Sequence, residues 1–190
     1  MKTAPEKVTG LKAVVVTAGH GGGDPGAVAN GWNESELAVW LRDEITSILR
    51  GRMVRVITDG QRGSNKPLRD ACGLAKSVDG PAAEIHFNAG PPGASGVEVL
   101  SNPELKPLAR EIARAISTVT RSPLRGDLGW KNPASGQHHR LAFCEAGGLI
   151  LEVCFMTEHD DLKAYLENKG AVASAIAAIL GYAVKHWETM

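Results

Sequence analysis

The stretch Gly148-Leu149-Ile150-Leu151-Glu152-Val153-Cys154-Phe155-Met156 constrains the fold most. It is apolar without alternation, so it reads as a strand buried on both faces. That is the signature of a parallel sheet covered by helices on each side. Glu152 interrupts it. A carboxylate among aliphatic side chains is costly unless something compensates it, so this residue calls for partners.

The rest of the chain repeats the pattern. Lys12–Ala18 is a first continuous apolar strand, followed by a Gly-rich loop from Gly19 to Gly31. Asn33 is an N-cap candidate, with Glu34 and Glu36 in the first turn. Leu37, Trp40, Leu41, Ile45, Ile48 and Leu49 then recur at helical spacing up to Gly51. Met53–Thr58 is a second strand, and residues from Ser64 to Val78 form a helix. Ala82–Phe87 and Gly96–Leu100 are strands, and Pro103 to Thr120 is a helix. Residues 121–139 are irregular. Arg140–Cys144 and Leu149–Phe155 are further strands, and two helices close the chain, from Asp160 to Leu166 and from Ala171 to His186. The expected architecture is α/β: a three-layer sandwich with a mainly parallel, twisted sheet of about six strands flanked by helices. One catalytic domain is expected over residues 1–190, with 1–10 an N-terminal extension.

Bulk properties narrow the function by exclusion. Lys plus Arg and Asp plus Glu are 21 each, so no global field favours nucleic acid or an anionic membrane. The apolar run from Ala171 to Val184 is too short to cross a bilayer, and no membrane insertion is expected. Residues 1–7 carry no apolar core of a secretory signal. Cys72, Cys144 and Cys154 show no paired spacing; Cys144 and Cys154 read as small core residues.

Chemistry concentrates at strand ends. His20 ends the first strand and His86 lies at the end of Ala82–Phe87, both at the carboxyl edge where open α/β sheets bind ligands. Glu34 opens the first helix, with Glu36 as a competitor that spacing does not eliminate. Two imidazoles and one carboxylate leave a zinc ion with net positive charge and an open position, and Glu152 is a spare carboxylate beside it. The Gly-rich loop is a poor phosphate cradle, since it is neither G-x-G-x-x-G nor followed by Gly-Lys-Ser/Thr. His138, His139 and Arg140 form a basic knot in which Arg140 is a candidate for holding a peptide carboxylate. Trp32 and Trp130 are candidates for lining a groove, while Trp40 reads as core.

These residues resemble the zinc-dependent N-acetylmuramoyl-L-alanine amidases of cell-wall autolysins, cell-division amidases and phage endolysins. The resemblance runs from about Lys12 to Val184. It rests on Gly19-His20-Gly21-Gly22 with Asp24-Pro25-Gly26-Ala27, on Gly31-Trp32-Asn33-Glu34, on Ile85-His86-Phe87-Asn88-Ala89 with Gly96-Val97-Glu98-Val99, and on Leu151–Met156. It favours Glu34 over Glu36. It implies one zinc per chain held by His20, Glu34 and His86, and Glu152 as general base. The bond cut would be the amide between the lactyl group of N-acetylmuramic acid and L-alanine in peptidoglycan. Asn88 and Arg140 are the substrate-binding candidates. Three departures stand out: Thr17-Ala18 in place of the family's usual Asp-Pro, Glu84 in place of its usual Ser, and Thr157-Glu158 in place of Ser-Asn. No segment is spare for the long occluding helix of the cell-division members. Synthesis in the cytoplasm and action on the wall after release, as in a phage endolysin aided by a separate membrane-lesion protein, is the expected deployment. Alternatives are another zinc amidohydrolase or peptidase acting on wall peptides, and a non-catalytic peptidoglycan-binding module.

Overall fold

The computed structural model describes residues 10–60, 63–64, 66–135 and 141–189. The elements in chain order are β1 (Val14–Ala18), β2 (Val28–Ala29), β3 (Trp32–Asn33), α1 (Glu34–Gly51), β4 (Val56–Thr58), α2 (Leu68–Lys76), β5 (Ala82–Asn88) and β6 (Glu98–Leu100). There follow α3 (Lys106–Thr120), β7 (Trp130–Lys131), α4 (Ala142–Glu145), β8 (Leu149–Phe155) and α5 (His159–Lys185). The main sheet has six strands in the order β4-β1-β5-β8-β6-β7. Strands β4, β1, β5 and β8 are mutually parallel, and β6 runs antiparallel to β8.

Strand alternation assigns the two faces. Val14, Val16, Ile85, Phe87, Leu151 and Val153 join α1, α3 and α5 in the larger core. Val15, Ala82 and Ile150 point the other way, into a smaller core with Ala71 and Ala75 of α2 and Phe143 and Cys144 of α4. The result is the expected three-layer sandwich with unequal layers. The short α2 and α4 leave the carboxyl ends of β5 and β8 uncovered on their side, and a cleft forms there.

Four expectations need correction. Residues Arg140–Cys144 are not a strand: Ala142–Glu145 is a single helical turn that buries Phe143 and Cys144 in succession, and Arg140 lies outside the described residues. A short apolar run does not distinguish strand from helix, and here the Phe143 ring sits so close to Gly148 that a Cβ there would meet it at 2.2 Å. The two closing helices are one, α5. Its buried residues Leu162, Tyr165, Val172, Ala173, Ile176 and Ala177 keep helical spacing through Gly170, which meets nothing within 4 Å of an added Cβ. Packing of that continuous face outweighs the roughly 1 kcal/mol that a helical glycine costs. The segment 121–139 contributes the sheet strand β7. The loop before α1 contains the hairpin β2–β3, whose turn is Asn30-Gly31 with φ of 50° and 79°. Asn-Gly at positive φ is a favoured two-residue hairpin turn, so the signal was present.

Candidate active site

Each site residue is delivered by a different element. His20 lies two residues beyond the end of β1, after Gly19, and has a left-handed backbone, φ 64°. For a non-glycine residue that is a strained conformation, costing about 1 kcal/mol or more, and the surroundings must hold it. Part of the hold comes from beneath. Ala18 N–H points at the buried carboxylate of Asp59, at 3.4 Å, and Asp59 is paired at 3.1 Å with the fully buried guanidinium of Arg42. Glu34 is placed by the hairpin: its N–H donates to Ala27 O as the chain leaves β3 and enters α1. No side chain caps α1 at Asn33. His86 and Glu152 are direct register partners on β5 and β8, and the ladder shifts register just after them, between His86 and Asn88. Irregularities of this kind re-aim side chains next to active sites.

Glu34 is the hub. Its Oε2 lies 3.0 Å from His20 Nε2 and its Oε1 lies 3.0 Å from His86 Nδ1. The same two oxygens accept the backbone N–H groups of Ala27 and Phe87 at 3.0 Å each. His20, Glu34 and His86 offer ligand atoms within 4.8 Å of one another, so together they form a group able to hold a metal ion. The outer nitrogens also face carboxylates. His20 Nδ1 is 2.9 Å from Asp24 Oδ2, and His86 Nε2 is 3.2 Å from Glu84 Oε2. Two glycines make room. A Cβ on Gly19 would lie 2.3 Å from the His86 ring, and one on Gly26 (φ 66°) would lie 2.7 Å from both Glu34 and His20.

Glu152 is the one half-buried residue of β8, the other six being buried, and it lines the cleft together with Ile150. Its Oε2 is buried and has no hydrogen-bond partner among the described residues. The partners that its position seemed to demand are neighbours rather than hydrogen-bond partners: His86 on one side and Glu98 on the other. Burial pushes the Glu152 carboxyl up to about 7, against the opposing pull of His86. For Glu34, burial acts upward too, but the bonds to His20 and His86 outweigh it and hold the carboxyl well below the usual range. Burial works against a charged His86, yet Glu34 and Glu84 raise it to about 10. The cleft of about 470 Å³ is floored by Glu84, His86, Ile150 and Glu152 and rimmed by His20, Pro67, Leu68 and Leu141.

Asn88 stands at the end of β5 with its amide donating to Glu98 Oε1 at 3.0 Å. Glu98 is also bound by Arg125 at 2.8 Å and Lys131 at 3.1 Å, so it is neutralised where it neighbours Glu152. Arg140, the other substrate candidate, lies outside the described residues, as do His138 and His139. Trp130 and Trp40 are half-buried against the larger core, and Trp32 is exposed. Sequence reading treated Glu84 only as a departure and gave Asp24 no role. Glu84 was findable, because residues two apart on a strand share a face.

Two imidazoles joined by a carboxylate, with a second carboxylate alongside whose Oε2 has no hydrogen-bond partner among the described residues, at the carboxyl edge of a parallel sheet, are the equipment of a metal-assisted hydrolase. The chain belongs to the N-acetylmuramoyl-L-alanine amidase family (Amidase_3), which it matches over residues 14–182. A solved candidate N-acetylmuramoyl-L-alanine amidase from Neisseria meningitidis is 37% identical, with a TM-score of 0.81, covering 92% of this chain and 96% of that one. The amidase AmiC2 of Nostoc punctiforme shares the fold at 21% identity and a TM-score of 0.73, over 93% and 99% of the two chains. A Bacillus subtilis protein of uncharacterised function, YqiI, is 26% identical over 161 residues, which is 83% of this chain and 76% of its own length. Family membership makes this chain a hydrolase, with peptidoglycan as the substrate.

Proposed function

We propose that the chain hydrolyses the amide joining the lactyl group of N-acetylmuramic acid to L-alanine, using one zinc ion held by His20, Glu34 and His86. The observation that carries this reading is the buried, unpartnered Glu152 Oε2 beside a three-donor group. Imidazole and carboxylate donors suit zinc, and a fourth position is left for water or substrate. A bound zinc supplies Lewis acidity to the scissile carbonyl and to the attacking water. The protein's own part is proton transfer and positioning. Glu152 accepts a proton from the water as its oxygen attacks the carbonyl carbon. The C–N bond then breaks, and Glu152 returns the proton to the departing L-alanine nitrogen. In the metal-free protein burial raises this carboxyl, and a basic carboxylate is what proton acceptance requires. Asn88 and Arg140 are proposed to contact the substrate.

Mass spectrometry of muropeptides after digestion tests the bond: free L-alanine amino termini with no new reducing sugar are expected. Cleavage elsewhere in the stem peptide would indicate a wall peptidase, and binding without release a non-catalytic module. Elemental analysis should find about one zinc per chain. Glu152→Gln should keep its zinc while losing roughly 10²–10⁴-fold in rate.

A phage-type lytic role completes the proposal. The described connections around the cleft are short: residues 89–97 between β5 and β6, and residues 156–158 between β8 and α5, hold no helix that would occlude it. No helix among the described residues is long and apolar enough to cross a membrane. Expression in a Gram-negative host tests this. Lysis is expected only when the inner membrane is permeabilised, and lysis of intact cells would contradict dependence on a separate membrane-lesion protein.

A further inference from the structure

Glu84 is a buried carboxylate, 2% exposed, on the strand that carries His86. Its paired cationic group among the described residues is the His86 ring, through Nε2 at 3.2 Å. A buried charge paired with one group is costly unless that pairing is used. The ring is otherwise defined on two sides. Gly19 packs flat against it, closer than any Cβ would allow, and Glu34 faces Nδ1 at 3.0 Å. Gly19 fixes the plane of the ring and Glu34 marks the nitrogen aimed at the other donors. Rotation within that plane is fixed by whatever holds Nε2. At His20 the same logic runs with the nitrogens exchanged: Nε2 faces Glu34 and Nδ1 faces Asp24. Asp24 is 63% exposed and Glu84 side chain 3%, so the two outer carboxylates differ in strength, with the dry one on His86.

We propose that Glu84 is a positioning residue for the metal: it accepts a hydrogen bond from His86 Nε2–H, fixing His86 in the tautomer that presents Nδ1 to the ion. A hydroxyl or an amide at this place would supply only a neutral acceptor. Here a full negative charge backs the imidazole, which makes the ring a stronger donor and binds the cation more tightly. The inference rests on the reading of His86 as a zinc ligand.

The test uses the full chain. Zinc affinity is measured by competition with a chromophoric chelator for wild type, Glu84→Gln and Glu84→Ser. Gln keeps the size and an acceptor oxygen but no charge; Ser leaves only a short neutral hydroxyl. Both are expected to weaken zinc by roughly 10–100-fold, Gln less than Ser. Nitrogen-15 shifts of His86 in the zinc-loaded wild type should show Nδ1 bound to metal and Nε2 protonated, which needs no variant to fold. Affinity in folded Glu84→Gln and Glu84→Ser within twofold of wild type would overturn the proposal, as would zinc bound at Nε2. A wild type that takes up no zinc would sink the metal-site reading itself, a failure seen before any variant is made.

Discussion

Gly19→Ala is the sharpest probe of how the site is held. The backbone of Gly19 does not use the left-handed region, so alanine is conformationally allowed there, and space alone decides. The new Cβ would lie 2.3 Å from His86 Cε1, 2.4 Å from Nε2 and 2.6 Å from Nδ1. Carbon contacts settle near 3.5–4.0 Å, so the ring or the loop must withdraw by more than about 1 Å. The loop cannot easily do so, because Gly19 N–H donates to Ile85 O at 2.8 Å and ties it to β5. The ring must then move, and its bonds of 3.0 Å to Glu34 and 3.2 Å to Glu84 stretch beyond hydrogen-bond length. A displacement of that size costs about 10²-fold in catalysis, and overpacking costs roughly 1–3 kcal/mol in stability. Chelator competition for zinc, peptide release from sacculi and chemical denaturation report these separately. Gly73→Ala in α2 is the control: nothing lies within 4 Å of its added Cβ, and it should leave activity unchanged. Gly19→Ala with wild-type zinc affinity and turnover would refute the placement of His86 against β1.

Other perturbations follow from buried charges. Arg42→Met leaves the fully buried Asp59 without its partner and should cost about 3–5 kcal/mol in denaturant unfolding, with Arg42→Met/Asp59→Leu recovering most of the loss. Asp161 accepts from Gly96 N–H at 2.7 Å, Ser95 Oγ at 2.9 Å and Phe155 N–H at 3.3 Å; Asp161→Asn turns one acceptor into a donor and should cost about 1–3 kcal/mol by the same measurement. Glu152→Gln removes a carboxyl raised by burial to about 7, whose ionisation works against folding above its unfolded value. In metal-free protein the variant should match wild type at pH 4 and be more stable at pH 8, by roughly 1–3 kcal/mol; lower stability at pH 8 would make Glu152 a structural carboxylate.

The grouping of His20, Glu34 and His86 was legible because each lies near a terminus of an element that periodicity defines. His20 closes one apolar run, His86 another, and Glu34 opens a helix, so a parallel sheet puts all three at one edge. Glu152 was legible for a partly wrong reason. Its strand is buried as expected, but the residue borders the cleft and, among the described residues, no hydrogen bond to Oε2 compensates it. Arg42 was hidden by its charge. It lies on the stripe of Ala38, Leu41, Ile45 and Leu49, so helical spacing put it inside, yet only tertiary structure supplies the Asp59 that makes this possible. Strands β2, β3 and β7 have two residues each, too few for a period. The Glu98 cluster joins residues from β5, β6, β7 and the loop before β7, a closure no local pattern announces.

The charge balance of the cleft gives a last prediction with a definite sign. Asp24, Glu34, Glu84 and Glu152 crowd two imidazoles, whereas Glu98 is already neutralised by Arg125 and Lys131. In metal-free protein, protons supply the missing positive charge. Glu34 and Glu84 lift His86 to about 10, and Glu34 raises His20 as well. A histidine raised above its unfolded value of about 6.5 contributes stability that is complete below 6.5 and is lost as the pH climbs toward 10. Metal-free protein should therefore lose stability across that window. Zinc requires neutral imidazole, so its binding expels these protons, and its apparent affinity should rise with pH by about tenfold per unit for each proton displaced. The two trends run in opposite directions, so the stabilisation gained on adding zinc must widen from pH 6 to pH 8. Calorimetric titration in buffers of different ionisation enthalpy counts the protons, and between one and two per zinc are expected at pH 7. Zinc binding that releases none, with an affinity flat over that range, would mean that His20 and His86 are already neutral and that Glu34 does not charge them.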